Sequence, residues 1–156
     1  MHPDLKKISE ELNSVGSERR LTLRFGLACV EDVAGNLENE DVIALLERFR
    51  ICINEFGPAV EEDLKDLASI ISKLATSHPG SRSIDGTRHA AVSATYALAK
   101  AVNGQVVDAA AYAAYSYVYG YGGYAVSDPE AFSEIHRRQL DHLFGLKQRA
   151  LSVNVG

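Results

Sequence analysis

The chain has 156 residues, 46% of them hydrophobic and 24% charged, and its formal net charge is −5. That is one domain's worth of residues at an ordinary apolar share, which excludes a disordered chain and a collagen-like one. No apolar run approaches the roughly 18 residues of a membrane span, and a negative balance argues against nucleic acid, whose binding needs a basic footprint.

The pattern reads as helix almost throughout. Residues 4–15 form a first helix, with Asp4 as its expected N-cap and Gly16 beyond its end. A second starts near Ser17. Its apolar positions Leu21, Phe25 and Ala28, with Leu23, Leu27 and Val30, recur at helical spacing, and Gly35-Asn36 ends it. Asn39 is the expected N-cap of a third helix, with Glu40 and Asp41 at the positive end of its dipole. Val42, Leu45, Leu46, Phe49, Ile53 and Phe56 make its apolar stripe, and Gly57 stops it. Pro58 suits the first turn of a fourth helix, whose buried face is Val60, Leu64, Leu67, Ile71 and Leu74.

The segment His78-Pro79-Gly80-Ser81-Arg82-Ser83 is the clearest loop. Composition turns there from Leu/Glu-rich to Ala/Tyr-rich. Each half is too short to bury a sizeable core alone, so the loop near 78–84 is expected to join two helical layers of one domain spanning 1–156. Residues 86–102, capped by Asp85 and closed by Asn103-Gly104, and residues 105–119 are the next two helices. Alanine is dense in both, so they are expected to pack closely at the centre. Tyr119-Gly120-Tyr121-Gly122-Gly123-Tyr124 breaks the sixth helix. Ser127-Asp128-Pro129-Glu130 opens the last one as a capping box, and it ends near Leu151. The fold expected is all-α, a bundle or hairpin array of six to seven helices.

Charge is uneven along the chain. Residues 1–66 hold 8 Lys/Arg against 15 Asp/Glu, and residues 67–156 hold 8 against 6. The first half is therefore the candidate surface for an electropositive partner. The tyrosines are equally uneven, with six of the seven between 112 and 124. Tyr112, Tyr115 and Tyr119 share one helix face and Tyr117, Tyr121 and Tyr124 another. Tyrosine supplies large contact area with few rotors, which suits a protein-binding surface. Cys29 and Cys52 lie in apolar helical stretches and read as buried small hydrophobes.

Chemistry-bearing motifs are few. His136 and His142 do not form an HExxH pair, and a metal site from His78, His89 and a C-terminal histidine would need tertiary contacts. The carboxylate pairs lie in polar helical contexts. There is no GxSxG, and the glycines at 120–123 lack the lysine of a phosphate loop. Arg19-Arg20 and Arg137-Arg138 read as surface salt-bridging pairs. No cofactor or metal is expected. The N-terminal Met1-His2-Pro3-Asp4-Leu5-Lys6-Lys7 has no apolar run of the signal-peptide kind, so a cytoplasmic location is expected.

Three stretches resemble one family. They are Leu23-Arg24-Phe25-Gly26-Leu27-Ala28-Cys29-Val30-Glu31-Asp32-Val33, with its Ala-Cys core step, Arg88-His89-Ala90-Ala91-Val92-Ser93-Ala94-Thr95-Tyr96-Ala97-Leu98-Ala99, and Ala109-Ala110-Ala111-Tyr112-Ala113-Ala114-Tyr115. Together they resemble the small all-helical immunity proteins of bacterial polymorphic toxin systems. The resemblance implies a non-enzymatic inhibitor that binds and blocks a cognate protein toxin. On that reading Glu38, Glu40, Asp41, Glu61, Glu62 and Asp63 steer a basic toxin, and Tyr115, Tyr117, Tyr119, Tyr121 and Tyr124 anchor it. Two alternatives stand beside it. One is a small ligand-binding protein or enzyme with an internal pocket of His89, Tyr96, Tyr112, His136 and Arg137. The other is a scaffolding homodimer formed through the Ala/Tyr helices.

Overall fold

The computed structural model describes residues 2–14, 18–77, 87–121 and 128–155, with side chains described for 89–120 and 128–151 within the last two stretches. Those residues form seven α-helices: α1 (Pro3–Ser14), α2 (Arg19–Glu31), α3 (Glu40–Asn54), α4 (Val60–Ser77), α5 (Thr87–Val102), α6 (Val106–Tyr121) and α7 (Ser133–Val155). Short 3-10 turns at Ala34–Asn36 and Pro129–Phe132 precede α3 and α7. No strand occurs among the described residues. The all-α bundle expected from periodicity is the fold observed.

The centre is the α5–α6 hairpin, with α2 lying across both helices. Its faces are alanine: Ala94, Ala97 and Ala101 on α5 and Ala109, Ala110 and Ala113 on α6 are wholly buried. Side chains this small let two backbones approach closely, and the same logic fixes α2. A Cβ on Gly26 would stand 2.9 Å from Val106 Cγ1 and 3.0 Å from the Ala101 Cβ. Phe25, Leu23 and Phe49, all fully buried, then fill the space between the central layer and the α3–α4 hairpin. The alanine faces are thus consumed inside the fold and are not available as a homodimer surface.

Local signals explain most helix ends. The Asn39 side chain accepts from the Asp41 and Val42 amides at 2.8 and 3.3 Å, as its N-cap role requires. Gly104, at φ +78°, closes α5 with two bonds, Gly104 N–H to Ala101 O and Gln105 N–H to Lys100 O. That pairing is the Schellman motif, and the left-handed φ is why glycine stands there.

Several boundaries differ from expectation. α2 ends at Glu31, ahead of the Gly35-Asn36 pair, which falls in the separate 3-10 turn, and α7 continues past Leu151 to Val155. His2, not Asp4, caps α1: its carbonyl accepts from Lys6 N–H at 3.0 Å and its Nδ1 accepts from Asp4 N–H at 3.1 Å. Pro58 sits in the turn before α4, because Val60 N–H bonds back to Gly57 O at 3.0 Å and starts the helix there. Asp128 caps the turn into α7, accepting from Glu130 N–H at 3.0 Å. The sixth helix runs through Gly120 to Tyr121, so Gly120 does not break it. Gly16, Ser17, the 78–84 loop, Asp85, Gly122, Gly123 and Ser127 lie outside the described residues.

Candidate functional site

The N-terminal ends of α1, α6 and α7 converge on one cavity of about 920 Å³. The size suits a ligand or an inserted side chain, since such pockets run roughly 300–1,000 Å³. Its aromatic wall is built by spacing. On α6, Tyr115 lines it, and Tyr119, one turn on and outside the lining, stands behind it with ring centroids 6.4 Å apart. The 3-10 turn capped by Asp128 delivers Phe132, whose ring meets Tyr115 edge-on at 5.3 Å and 78°. His136, one turn further into α7, lies 6.3 Å from Phe132 and 4.8 Å from His2 of α1. Tyr115 is 43% exposed, which puts a large aromatic at the mouth.

Three carboxylates line this cavity: Asp4, Asp108 and Glu130. Each stands in the first turn of its helix or 3-10 turn. None has an ion-pair partner among the described residues. Among the described residues no lysine or arginine lines the space. Each helix N-terminus carries about half a positive charge, so one full negative charge at each outweighs the dipoles and leaves the cavity net negative.

The buried histidine supplies a defined atom. Gln139 donates its amide N–H to Ala110 O at 2.9 Å, which leaves Oε1 as the acceptor facing His136 Nδ1 at 2.8 Å. His136 Nδ1 is therefore the protonated nitrogen, and Nε2 carries a lone pair. No donor among the described residues meets that lone pair, although His136 is only 2% exposed and lines the cavity. Burial pushes the His136 imidazole below the usual histidine range. The Gln139 bond opposes the shift, and the neighbouring His2 adds to it. The neutral ring is thus an acceptor for an N–H-bearing group. His2 has the opposite tautomer: Nδ1 accepts from Asp4 N–H, and Nε2 faces Ser133 Oγ at 3.4 Å.

The residues expected from sequence are only partly brought together. Tyr115 joins the aromatic wall, whereas Tyr119 is not among the residues lining the cavity and stacks on His89 at 4.8 Å. Tyr117 turns elsewhere, under the Arg138 guanidinium at 5.5 Å. The side chain of Tyr121 and the whole of Tyr124 lie outside the described residues. Glu38, Glu40 and Asp41 are exposed at the start of α3, and Glu62 and Asp63 at the start of α4. Because α3 and α4 form a hairpin, those starts lie at opposite ends, roughly 20 Å apart for a helix of this length. Glu61 is held by Arg19 in a two-pronged ion pair at 2.7 and 3.0 Å, which keeps its carboxyl below the usual range. The α3–α4 hairpin packs on α2 and α5, whereas α6 packs on α1, α2, α5 and α7, so the acids and the described tyrosines Tyr115, Tyr117 and Tyr119 stand on different packing units.

The expected internal pocket also divides. Tyr96 stacks on Tyr112 at 5.3 Å, His89 belongs with Tyr119, and Arg137 is exposed. Of that set, only His136 lines the cavity. His142 pairs with Asp32 at 3.0 Å and ties α7 to the end of α2. Cys29 and Cys52 are both buried, and burial pushes both thiols up. Among the described residues no group of three His, Cys, Asp or Glu side chains is placed to hold a metal ion. None of their helices is long and apolar enough to cross a membrane.

The cavity acids were missed because each lies far from the others in sequence. Their one shared signal is an acidic residue in a first helical turn, and that signal does not say which helix ends meet. Comparison with protein-family models, curated proteins and solved structures finds no match. The class that fold and site define is therefore an alanine-centred seven-helix bundle with an acidic, aromatic-walled cavity.

Proposed function

We propose that the protein is an immunity protein, a stoichiometric inhibitor that takes a basic segment of a cognate bacterial toxin into the α1–α6–α7 cavity. One observation carries the reading: exposed Tyr115, packed edge-on against Phe132, shares a concave surface with three carboxylates that have no ion-pair partner among the described residues. An aromatic anchor in a pocket with opposite charge around it is how a few residues supply most of an interface's affinity. The resemblance of the α2, α5 and α6 stretches to immunity proteins supports the choice of partner. Stoichiometric occlusion needs no catalytic group, and the reading assigns none.

A second reading is favoured by His136. A buried neutral imidazole among the cavity's lining residues, with Nδ1 already engaged by Gln139, suits a small N–H-bearing organic cation, and it would make the protein a ligand-binding bundle.

The test is calorimetry with an inactivated toxin domain encoded beside this gene. A one-to-one complex at nanomolar affinity, about −12 kcal/mol, is the expected result. Absence of binding would overturn the toxin reading. Saturable binding of a small amine in its place, lost in His136→Phe, would establish the second.

A further inference from the structure

We propose that the groove between α2 and the later part of α7 binds a tetrahedral oxyanion, the phosphate of a small phosphomonoester. The site is separate from the acidic cavity and does not depend on the immunity reading. Its volume is about 340 Å³, and three arginines line it, Arg20 and Arg24 from α2 and Arg149 from α7, against one carboxylate, Glu18. None of the three is in an ion pair among the described residues, whereas Arg19, beside them in sequence, is paired with Glu61. Three unneutralised guanidiniums in one groove, in a chain of net charge −5, call for an anion.

Two further features agree. Arg20 Nε is buried with no acceptor, the one such side-chain atom among the described residues, and its Nη2 reaches Asn54 O only at 3.5 Å. A buried donor without a partner is costly, and a small rotation of Arg20 toward a bound anion satisfies it. The start of α2 is also unfinished. Glu18 makes no side-chain cap, and the first turn holds Arg19 and Arg20 but no acid. Cations there oppose the helix dipole, and the first-turn amides lack intrahelical acceptors. Arg24 is held below the usual arginine range first by burial and then by the charges of Arg20 and Arg149, which places the three within mutual repulsion.

Charge chooses the ligand. Three guanidiniums less one carboxylate leave an excess of two positive charges. A carboxylate brings one negative charge, whereas a phosphomonoester brings about −1.5 to −2 with three acceptor oxygens. Arginine forks match those oxygens two at a time. The groove is larger than a phosphate group, and Leu146 and Ala150 give it an apolar wall for the ester's organic part.

Phenyl phosphate, inorganic phosphate and benzoate are the probes, titrated into the full chain at matched ionic strength. Thermal shift and the arginine Nε–H resonances are the readouts. Phenyl phosphate should bind once per chain, raise Tm and move the Arg24 and Arg149 signals, with benzoate at least about tenfold weaker. Inorganic phosphate moving the same signals more weakly identifies an ester as the ligand, and equal binding identifies the free ion. Arg149→Gln should cut phenyl phosphate affinity about tenfold or more, while Tm of the unliganded variant holds or rises because a repulsion is removed. The proposal is overturned if neither phosphate exceeds chloride, if benzoate equals phenyl phosphate, or if Arg149→Gln binds like the parent.

Discussion

His136 and Gln139 meet at 2.8 Å inside the bundle, one turn apart on α7, and the far end of the Gln139 amide is fixed by Ala110 O on α6. The amide cannot rotate without losing Ala110, so it dictates which imidazole nitrogen holds the proton. Protonating His136 adds a charge in a buried site. Of the groups around it, His2 disfavours that charge and Asp4 favours it. Asp108 and Glu130 face the same cavity from α6 and the turn before α7.

The pH dependence follows. The folded pKa of His136 lies below its ordinary value near 6.5, so the unfolded chain binds the proton more readily. The stability contribution is complete above about pH 6.5 and is lost as pH falls through the folded value. Thermal melts from pH 7.5 to 5 should show Tm falling, with a shallower fall in His136→Phe. Gln139→Leu should cost about 1–3 kcal/mol by stranding the buried imidazole N–H.

Gly26→Ala should be strongly destabilising for an ordinarily favourable helix substitution. The added methyl meets Val106 Cγ1 at 2.9 Å and the Ala101 Cβ at 3.0 Å, both on packed helices. The expected loss is about 1–3 kcal/mol by overpacking, against a gain of at most about 1 kcal/mol from helix propensity. Urea unfolding measures the difference.

Ser116 joins three segments. Its hydroxyl donates to Ala90 O at 2.7 Å and accepts from Asn36 Nδ2 at 3.0 Å. Ser116 is fully buried. Ser116→Ala should cost about 1–3 kcal/mol by leaving the Ala90 carbonyl without its hydroxyl donor. An unchanged urea midpoint would rule this contact out as a contributor.

The cavity reading separates two sets of acids. Asp108→Lys should slow toxin association and flatten its salt dependence, because an unpaired carboxylate at the mouth is reversed. Glu62→Lys should leave association unchanged within about twofold, because it lies on the α3–α4 hairpin away from the mouth. Tyr115→Ala should cost about 2 kcal/mol or more of binding and only a modest part of Tm, since the ring is 43% exposed and loses its edge-on contact with Phe132. Stopped-flow association at two salt concentrations tests all three.

Cys29 is wholly buried and its thiol is pushed well above the ordinary range by burial, with Asp32 adding to the effect. Thiolate is the reactive form, so a thiol reagent should modify native Cys29 orders of magnitude more slowly than the unfolded chain. Fast modification of Cys29 without unfolding would contradict the packing around α2.

Periodicity alone made the helices legible. Val42, Leu45, Leu46, Phe49 and Ile53 lie on one stripe whatever they pack against, and Asn39 caps α3 with atoms only two and three residues away. The alanine-rich pair at the centre was legible for the same reason, because only small side chains let helices approach so closely. Gly104 is likewise a local matter of one left-handed φ. Which helix ends meet is not local. Asp4, Asp108 and Glu130 line one cavity because α1, α6 and α7 pack together, and no spacing along the chain records that. The same packing turned Tyr117 from Tyr115, engaged Glu61 with Arg19, and left Arg20, Arg24 and Arg149 in no ion pair among the described residues. Side-chain type and period are properties of neighbours in sequence, whereas a site depends on which distant neighbours share its volume and its charge.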